Sequence, residues 1–247
     1  MDLGLAGKVF LVTGGSRGLG RAGAEALVAE GAHVVVSARG ADAVARTAAE
    51  LGCTGVAADL SDPATPLRLV EAALAAYDKL DGALLSVGGP PAGPALSLTD
   101  EQWHSAFDSV FLGAVRMARA VVEALPAEGG ALAFVLSTSV KAPLAGLAAS
   151  NGLRPGLAML AKTMADELGP RGIRVNGLLP GRVHTDRVRE LDGDDPEVPK
   201  RIAAGIPLRR YGDPAEFGRV AAFLLSPAAS YVTGAMVPVD GGAVRAL

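Results

Sequence analysis

The sequence is poor in the residue types that build disulfides and metal sites. It contains one cysteine, Cys53, and three histidines, which stand far apart at positions 33, 104 and 184. A single cysteine cannot form an internal disulfide, and scattered histidines lack the close spacing of zinc ligands. We therefore expect neither a disulfide framework nor a metal centre.

A surplus of one charge and a long apolar run are missing as well. The 247 residues carry 23 basic and 26 acidic side chains, a net charge of −3, which argues against nucleic acid as the main partner. The longest uncharged stretch, residues 82–99, contains three prolines that would break a membrane-spanning helix. The first residues do not have the basic head and apolar stretch of a signal peptide. These absences predict a cytoplasmic protein whose partner is a small molecule.

Short apolar runs alternate with helical patterns along the whole chain. The first predicted strands are Val9–Val12, His33–Ser37 and Gly55–Ala58, and the last is Met236–Val239. Such alternation indicates parallel strands joined by helical crossovers. We expect one α/β domain over residues 1–247, a Rossmann-type doubly wound parallel sheet of about seven strands with helices on both faces. A polar stretch of mixed charge at about 182–212 is expected to be a substrate loop or lid.

The first predicted strand leads into a glycine-rich run, TGGSRGLG, at residues 13–20. Gly14, Gly18 and Gly20 stand where a chain must turn tightly, admit a ligand to the backbone and pack a helix against a strand. Unpaired amides and the dipole of the following helix favour a pyrophosphate at such a turn. The run therefore predicts a dinucleotide site, and a purely structural turn is the alternative.

Two arginines bear on which dinucleotide binds. Arg17 lies inside the glycine-rich run, and Arg39 follows the second predicted strand, where an enzyme selective for NAD often carries an acidic residue. Paired guanidinium groups can instead bind a 2′-phosphate. We favour NADP(H) over NAD(H), although both side chains could be ordinary solvated arginines.

With these features the chain resembles the short-chain dehydrogenase/reductase family, in the branch laid out like 3-oxoacyl-carrier-protein reductase. The resemblance covers residues 8–242 and rests on the glycine-rich run, ADL at 58–60, RGIRVN at 171–176, PG at 180–181 with TD at 185–186, and VDGG at 239–242. It implies an oxidoreductase that assembles as a dimer or tetramer, and two helices rich in apolar residues beyond one core stripe, at 100–125 and 151–168, agree with subunit packing. The motifs and the resemblance together assign these cofactor-binding residues: Gly14, Ser16, Arg17, Gly18, Leu19, Gly20, Arg39, Asp59, Leu60, Gly88, Pro180, Gly181 and Thr185.

The resemblance also shows where this sequence departs from the family. The family's catalytic serine falls on Ser139, whereas its tyrosine and lysine fall on Ser150 and Arg154. Its helix asparagine falls on Val110, and of its Asn-Asn-Ala-Gly motif only Gly88 is kept. A serine is shorter and less acidic than a phenol, so Ser150 cannot simply replace the tyrosine as the acid. Arg154 keeps a cation on the same helical face, but a guanidinium stays protonated and cannot shuttle a proton.

The roles of the candidate catalytic residues stay open at this point. Because Pro155 is tolerated only in a first helical turn, the helix is predicted to begin no earlier than about Asn151, and Ser150 is either an N-cap or catalytic. Arg154 could anchor ribose hydroxyls or an anionic substrate group. Lys141 would lie on the same side as Ser139 if the strand continued, as the missing acid or as a solvated lysine. His184 is either near the nicotinamide or on the surface.

We expect an NADP(H)-dependent oxidoreductase that acts on a small carbonyl or alcohol and uses a non-standard proton donor. Ser139 is the predicted hydrogen-bond donor to the substrate oxygen, unless it is a buried structural serine. Two other functions fit the same scaffold: a non-redox enzyme such as a dehydratase or isomerase, and a catalytically silent protein that binds NADP. Resemblance of fold alone does not choose among them.

Overall fold

A parallel sheet runs through the centre of the protein, of which the computed structural model describes residues 2–246. The strands are β1 (Val9–Thr13), β2 (His33–Ala38), β3 (Thr54–Ala57), β4 (Gly82–Ser86), β5 (Gly130–Val135), β6 (Ile173–Pro180) and β7 (Met236–Val239). In these residues the seven strands lie in the order β3-β2-β1-β4-β5-β6-β7, and every neighbouring pair is parallel. The strand order reverses between β1 and β4, the switch point at which doubly wound sheets bind ligands.

Helices cover both faces of the sheet. They are α1 (Gly18–Ala29), α2 (Ala41–Leu51), α3 (Thr65–Tyr77), α4 (Asp100–Ala106), α5 (Gly113–Ala124), α6 (Ala148–Leu168), α7 (Asp186–Asp192), α8 (Glu197–Gly205) and α9 (Pro214–Leu225). Buried side chains of α3, α5 and α6 form the core on one face, and those of α1, α2 and α9 form the core on the other. The predicted Rossmann-type architecture is confirmed.

Strand β1 shows why the central strands read as continuous apolar runs. Val9 and Leu11 point into the core beneath α3 and α5, whereas Phe10 and Val12 point into the core beneath α1 and α9. All four side chains are buried. A strand covered on both faces has no polar side, so its sequence cannot alternate.

The predicted helix over residues 100–125 is interrupted. Between α4 and α5, residues Phe107–Leu112 form a π-helical segment. Gly113 follows it, and a Cβ there would lie 2.7 Å from the carbonyl oxygen of Leu60. The helix thus passes close to the loop after β3, and a widened turn allows a local change of path. π-helical segments occur often at functional sites.

Residues 182–212 contain two short helices, α7 and α8. The Thr185 side chain caps α7 by accepting a hydrogen bond from the Val188 amide at 3.3 Å. Across residues 2–246, no helix combines the length and the apolar character needed to cross a bilayer.

Candidate active site

The glycine-rich run lies at the switch point between β1 and β4. The Thr13 hydroxyl donates to the Ser86 carbonyl at 3.0 Å, and a Cβ on Gly14 would come within 2.7 Å of that carbonyl oxygen. A Cβ on Gly20 would lie 2.3 Å from the Gly14 carbonyl oxygen. Gly14 and Gly18 also have left-handed φ angles of 60° and 57°. Gly14 and Gly20 therefore require glycine because a side chain would displace backbone, and Gly18 favours glycine because of its left-handed φ.

The N-terminus of α1 fits a bound pyrophosphate. Arg17 precedes the helix in an extended conformation, and no side chain of residues 2–246 caps this end. The first turn also contains no acidic residue. Unpaired amides at a helix N-terminus, with no carboxylate to compete, make a site for a negatively charged group. The residues present thus fit the phosphates of a dinucleotide.

Arg17 and Arg39 are exposed beside this loop. Within residues 2–246 neither forms an ion pair. The Asp59 carboxylate accepts from the Ser61 amide at 3.0 Å and from its hydroxyl at 2.9 Å. These bonds, the amide first, hold the pKa of Asp59 below its usual value, and the positive charge of Arg39 adds to the effect. Arg39 therefore lies within electrostatic range of Asp59.

Ser139 lies on a one-turn 3₁₀ helix, Thr138–Val140, that follows β5. Its amide donates to the Ser137 hydroxyl at 3.0 Å, which fixes the turn. The prediction that Lys141 shares a strand face with Ser139 is wrong, because the chain leaves the extended conformation before it reaches Ser139. The Lys141 side chain is exposed, and its amide closes the turn on the Thr138 carbonyl at 2.9 Å.

Ser150 is not a helix cap, and the predicted helix start at Asn151 is also wrong. Helix α6 begins at Ala148, so Ser150 lies in its first turn and Pro155 lies inside the helix. The early start is stabilised from outside: the Ala148 amide donates to the Gly93 carbonyl at 3.2 Å. The Asn151 side chain also bonds the Leu144 amide at 3.0 Å and carbonyl at 2.8 Å. These contacts offset the single helical hydrogen bond that Pro155 cannot make.

The early start of α6 brings Ser150 to Ser139. Their hydroxyl oxygens are 3.4 Å apart, and either can be the donor. Both residues are buried, with 4% exposure for Ser139 and 6% for Ser150. Two hydroxyls, with no apolar side chain between them, therefore face each other at the carboxyl end of β5.

Arg154 lies one turn after Ser150 on α6. Its Nη1 donates to the Val135 carbonyl at the end of β5 at 2.8 Å, and its Nη2 donates to the Gly88 carbonyl after β4 at 3.4 Å. Burial, together with the nearby charge of Arg187, lowers the pKa of Arg154 to about 10. A group with this pKa still carries its proton near neutral pH. Arg154 is therefore a buried cation that links the ends of β4, β5 and α6.

The structure does not bring His184 together with these groups. The His184 side chain is exposed, and its ring lies against that of Tyr211 with centroids 5.2 Å apart. Both rings line a cavity of about 480 Å³ beside α7. Ser139, Ser150 and Arg154 are absent from the described residues that line it.

A comparison with known proteins identifies the fold. A family profile described as enoyl-(acyl carrier protein) reductase matches residues 14–244. The chain belongs to the short-chain dehydrogenase/reductase family. The 3-oxoacyl-(acyl-carrier-protein) reductase of Salmonella typhimurium is 32% identical over 239 residues, which are 96% of this chain and 97% of the relative.

Two solved structures are similar to the chain over almost their whole length. L-sorbose reductase from Gluconobacter frateurii, complexed with NADPH and L-sorbose, superposes with a TM-score of 0.94 at 31% identity and covers 100% of both chains. A short-chain oxidoreductase from Pseudomonas aeruginosa PAO1 that contains an atypical catalytic center superposes with a TM-score of 0.91 at 28% identity, over 99% of this chain and 100% of the other.

The sequence did not reveal one residue at the carboxyl end of the sheet. Arg187, on α7, donates from Nη2 to the Pro90 carbonyl at 2.9 Å. The sequence shows it only as one of several arginines in a stretch of mixed charge. No local pattern sets it apart, because its position depends on how α7 folds back over the loop after β4.

Proposed function

We propose that this protein is an NADP(H)-dependent oxidoreductase of small carbonyls or alcohols whose catalytic site works without the family's tyrosine and lysine. The observation that carries this proposal is the buried pair of hydroxyls on Ser139 and Ser150, one helical turn from the Arg154 cation. The cluster lies at the same sheet edge as the glycine-rich loop. The NADPH complex of L-sorbose reductase and the atypical center of the Pseudomonas aeruginosa enzyme support it by analogy.

Ser139, Ser150 and Arg154 have different roles at the substrate oxygen. A bound nicotinamide supplies or accepts the hydride at the carbonyl carbon. Ser139 and Ser150 donate hydrogen bonds to the carbonyl oxygen, and the charge of Arg154 stabilises the alkoxide that forms there. Since Arg154 keeps its proton near neutral pH, Ser150 passes its hydroxyl proton to the alkoxide and regains one from Ser139. Lys141, exposed two residues beyond Ser139, is the proposed source of the replacement proton.

The direct test of this function is turnover. Purified protein should bind NADPH, and the absorbance of the reduced nicotinamide should fall when suitable ketones or aldehydes from a panel are added. Ser139→Ala should lower kcat by about 100-fold, as the loss of one preorganised donor to an oxyanion does. Thr163→Ala, a hydroxyl that bonds the Met159 carbonyl elsewhere on α6, is the matched control and should leave kcat unchanged. Binding of NADPH without reduction of any carbonyl would contradict an oxidoreductase.

The preference for NADP(H) over NAD(H) is part of the same proposal. It is supported by the exposed guanidinium groups of Arg17 and Arg39, which have no ion-pair partner in residues 2–246. The remaining assignments stay predictions: by resemblance Asp59 contacts the adenine, Pro180 to Thr185 line the nicotinamide end, and Leu60 and Gly88 also contact the cofactor. All of these residues lie toward the carboxyl edge of the sheet: Asp59 and Leu60 after β3, Gly88 after β4, Pro180 at the end of β6, and Gly181 and Thr185 after it.

Arg39→Asp should reverse the cofactor preference. A carboxylate repels a 2′-phosphate and accepts from a free 2′-hydroxyl, so the affinity for NADPH should fall at least about 10-fold while that for NADH holds or rises. Arg46→Asp, at an exposed arginine on α2, controls for the change of net charge. Fluorescence titration with both cofactors measures the effect, and equal losses for NADPH and NADH would argue against a 2′-phosphate at Arg39.

We propose that the α7 and α8 segment is a lid over the substrate, since α7 already contacts the loop after β4 through Arg187.

We also propose a homo-oligomer. Phe107 and Met159 support it, because these large apolar side chains are 40% and 69% exposed in the segments predicted to pack between subunits.

A further inference from the structure

The Arg154 cation is buried without a carboxylate beside it. Both of its hydrogen bonds go to backbone carbonyls, and within residues 2–246 it forms no ion pair. The two carbonyls accept from its terminal nitrogens, but neither carries a negative charge. A buried charge is normally paired. The protein therefore holds an uncompensated positive charge at the carboxyl end of β5.

A second guanidinium lies on the same loop. Arg187 donates to the Pro90 carbonyl, and its Nε would be 2.8 Å from a Cβ on Gly89, so it packs directly on that glycine. Arg154 bonds the carbonyl of Gly88. Since two residues of extended chain span at most roughly 7 Å, both cations border one short segment, residues 88–90. The charge of Arg187 contributes to the lowered pKa of Arg154, which agrees with their proximity.

The acidic residues of α7 compensate these cations only weakly. Arg187 faces Glu190 at 3.6 Å, but both side chains are substantially exposed, at 40% and 59%. Exposed pairs of this kind contribute little because solvent screens them. Asp186 pairs with Arg189 instead. The segment therefore presents a positive field, with one guanidinium that solvent reaches and one that is buried behind it.

We propose that Arg187, with Arg154 behind it, binds the carboxylate of the substrate, so that the natural substrate is a small oxo acid or the corresponding hydroxy acid. This deepens the proposed function and rests on it. A guanidinium binds a carboxylate through two parallel hydrogen bonds, which fixes its orientation. Arg154 lies one turn after Ser150 on α6 and bonds the Gly88 carbonyl, so it connects this segment to the two serines. A phosphate of the cofactor could use the same chemistry, and the experiment separates the two sources.

The test compares acids with their neutral esters. Wild-type protein and Arg187→Gln are assayed with NADPH on short 2-oxo and 3-oxo acids, each beside its methyl ester. We expect kcat/KM for the acids to fall about 10- to 100-fold in the variant, mainly through KM, and that for the esters to change less than about 3-fold. Arg189→Gln, an exposed arginine on the same helix that pairs with Asp186, is the control and should change neither.

Three results would overturn the subsite. The first is wild-type protein that does not prefer acids to esters. The second is an equal loss of kcat/KM for acid and ester in Arg187→Gln. The third is a matching loss of NADPH affinity in Arg187→Gln, which would assign Arg187 to a cofactor phosphate. Calorimetric titration of the NADPH complex with oxamate, an unreactive carboxylate, gives a readout without turnover. Oxamate that binds wild-type protein but not Arg187→Gln supports the subsite even if no carbonyl is reduced, and in that case the oxidoreductase proposal alone fails.

Discussion

Arg154→Met is expected to lower kcat by about 100- to 1000-fold. The guanidinium is the buried positive charge nearest to the Ser139 and Ser150 hydroxyls, and it stabilises an alkoxide more strongly in a dry site than it could in water. Methionine fills similar space without the charge. The NADPH affinity should change much less than kcat, because the glycine-rich loop that holds the phosphates lies on other elements.

The stability of this variant is expected to stay near that of the wild type. Removing the guanidinium leaves the Val135 and Gly88 carbonyls without its hydrogen bonds, at about 1–3 kcal/mol for each buried acceptor. The substitution also removes a charge that is buried away from water, and this removal stabilises the fold by a comparable amount. A net change in the free energy of unfolding below about 2 kcal/mol, measured by urea denaturation, would show that the activity is not lost through unfolding.

Arg154→Lys is the matched control for charge. The ammonium keeps the positive charge but cannot reach both carbonyls at once, so kcat should recover at least about 10-fold over Arg154→Met. The pH profile of kcat distinguishes a wild-type Arg154 that acts as a fixed charge from one that transfers a proton. If Arg154 acts only as a fixed charge, kcat should stay constant until the pH comes within about one unit of the Arg154 pKa of about 10, and should fall as the pH rises through that pKa. A methionine variant with wild-type kcat would remove Arg154 from the catalytic site.

The strands could be predicted from the sequence because a strand that is buried on both faces has a continuous run of apolar residues. Val9–Val12, for example, is apolar at every position, since alternate side chains enter different cores. The glycine-rich turn could also be located, because Gly14 and Gly20 meet backbone that allows no Cβ. Both signals appear as short local patterns in the sequence, although the contacts that explain them, such as that of Gly14 with Ser86, are distant in the chain.

The failures concern contacts that are distant in sequence. The helix start at Asn151 followed from Pro155 alone, whereas the Gly93 carbonyl and the Leu144 backbone stabilise three further residues at the N-terminus of α6. The position of Lys141 followed from a strand that ends earlier, at Val135. Arg187 could not be found because it meets Pro90, 97 positions earlier in the chain. The positions of residues within a sequence motif could thus be predicted, whereas positions that depend on contacts between distant loops could not.

Gly20→Ala should raise the Kd for NADPH at least about 100-fold, a loss of about 2.7 kcal/mol in binding free energy. The added Cβ would lie 2.3 Å from the Gly14 carbonyl oxygen and 2.8 Å from its carbonyl carbon. Backbone atoms cannot rotate away as a side chain can, so the glycine-rich loop must move from the N-terminus of α1. The amides that fit a pyrophosphate would then no longer converge on one point.

Gly23→Ala separates this effect from loss of stability. It adds the same methyl group to the same helix one turn later, where the Cβ would lie 2.2 Å from the Leu84 Cδ2 atom, the end of a flexible side chain. Overpacking of this kind destabilises a core by about 1–3 kcal/mol, so Gly23→Ala should lower Tm with the Kd for NADPH nearly unchanged. Gly20→Ala should show the opposite pattern, a large change in Kd for a similar or smaller change in Tm. If instead Gly20→Ala bound NADPH with wild-type affinity in a fluorescence titration, the dinucleotide could not lie on this loop, and the proposed chemistry at Ser139 and Ser150 would lose its hydride source.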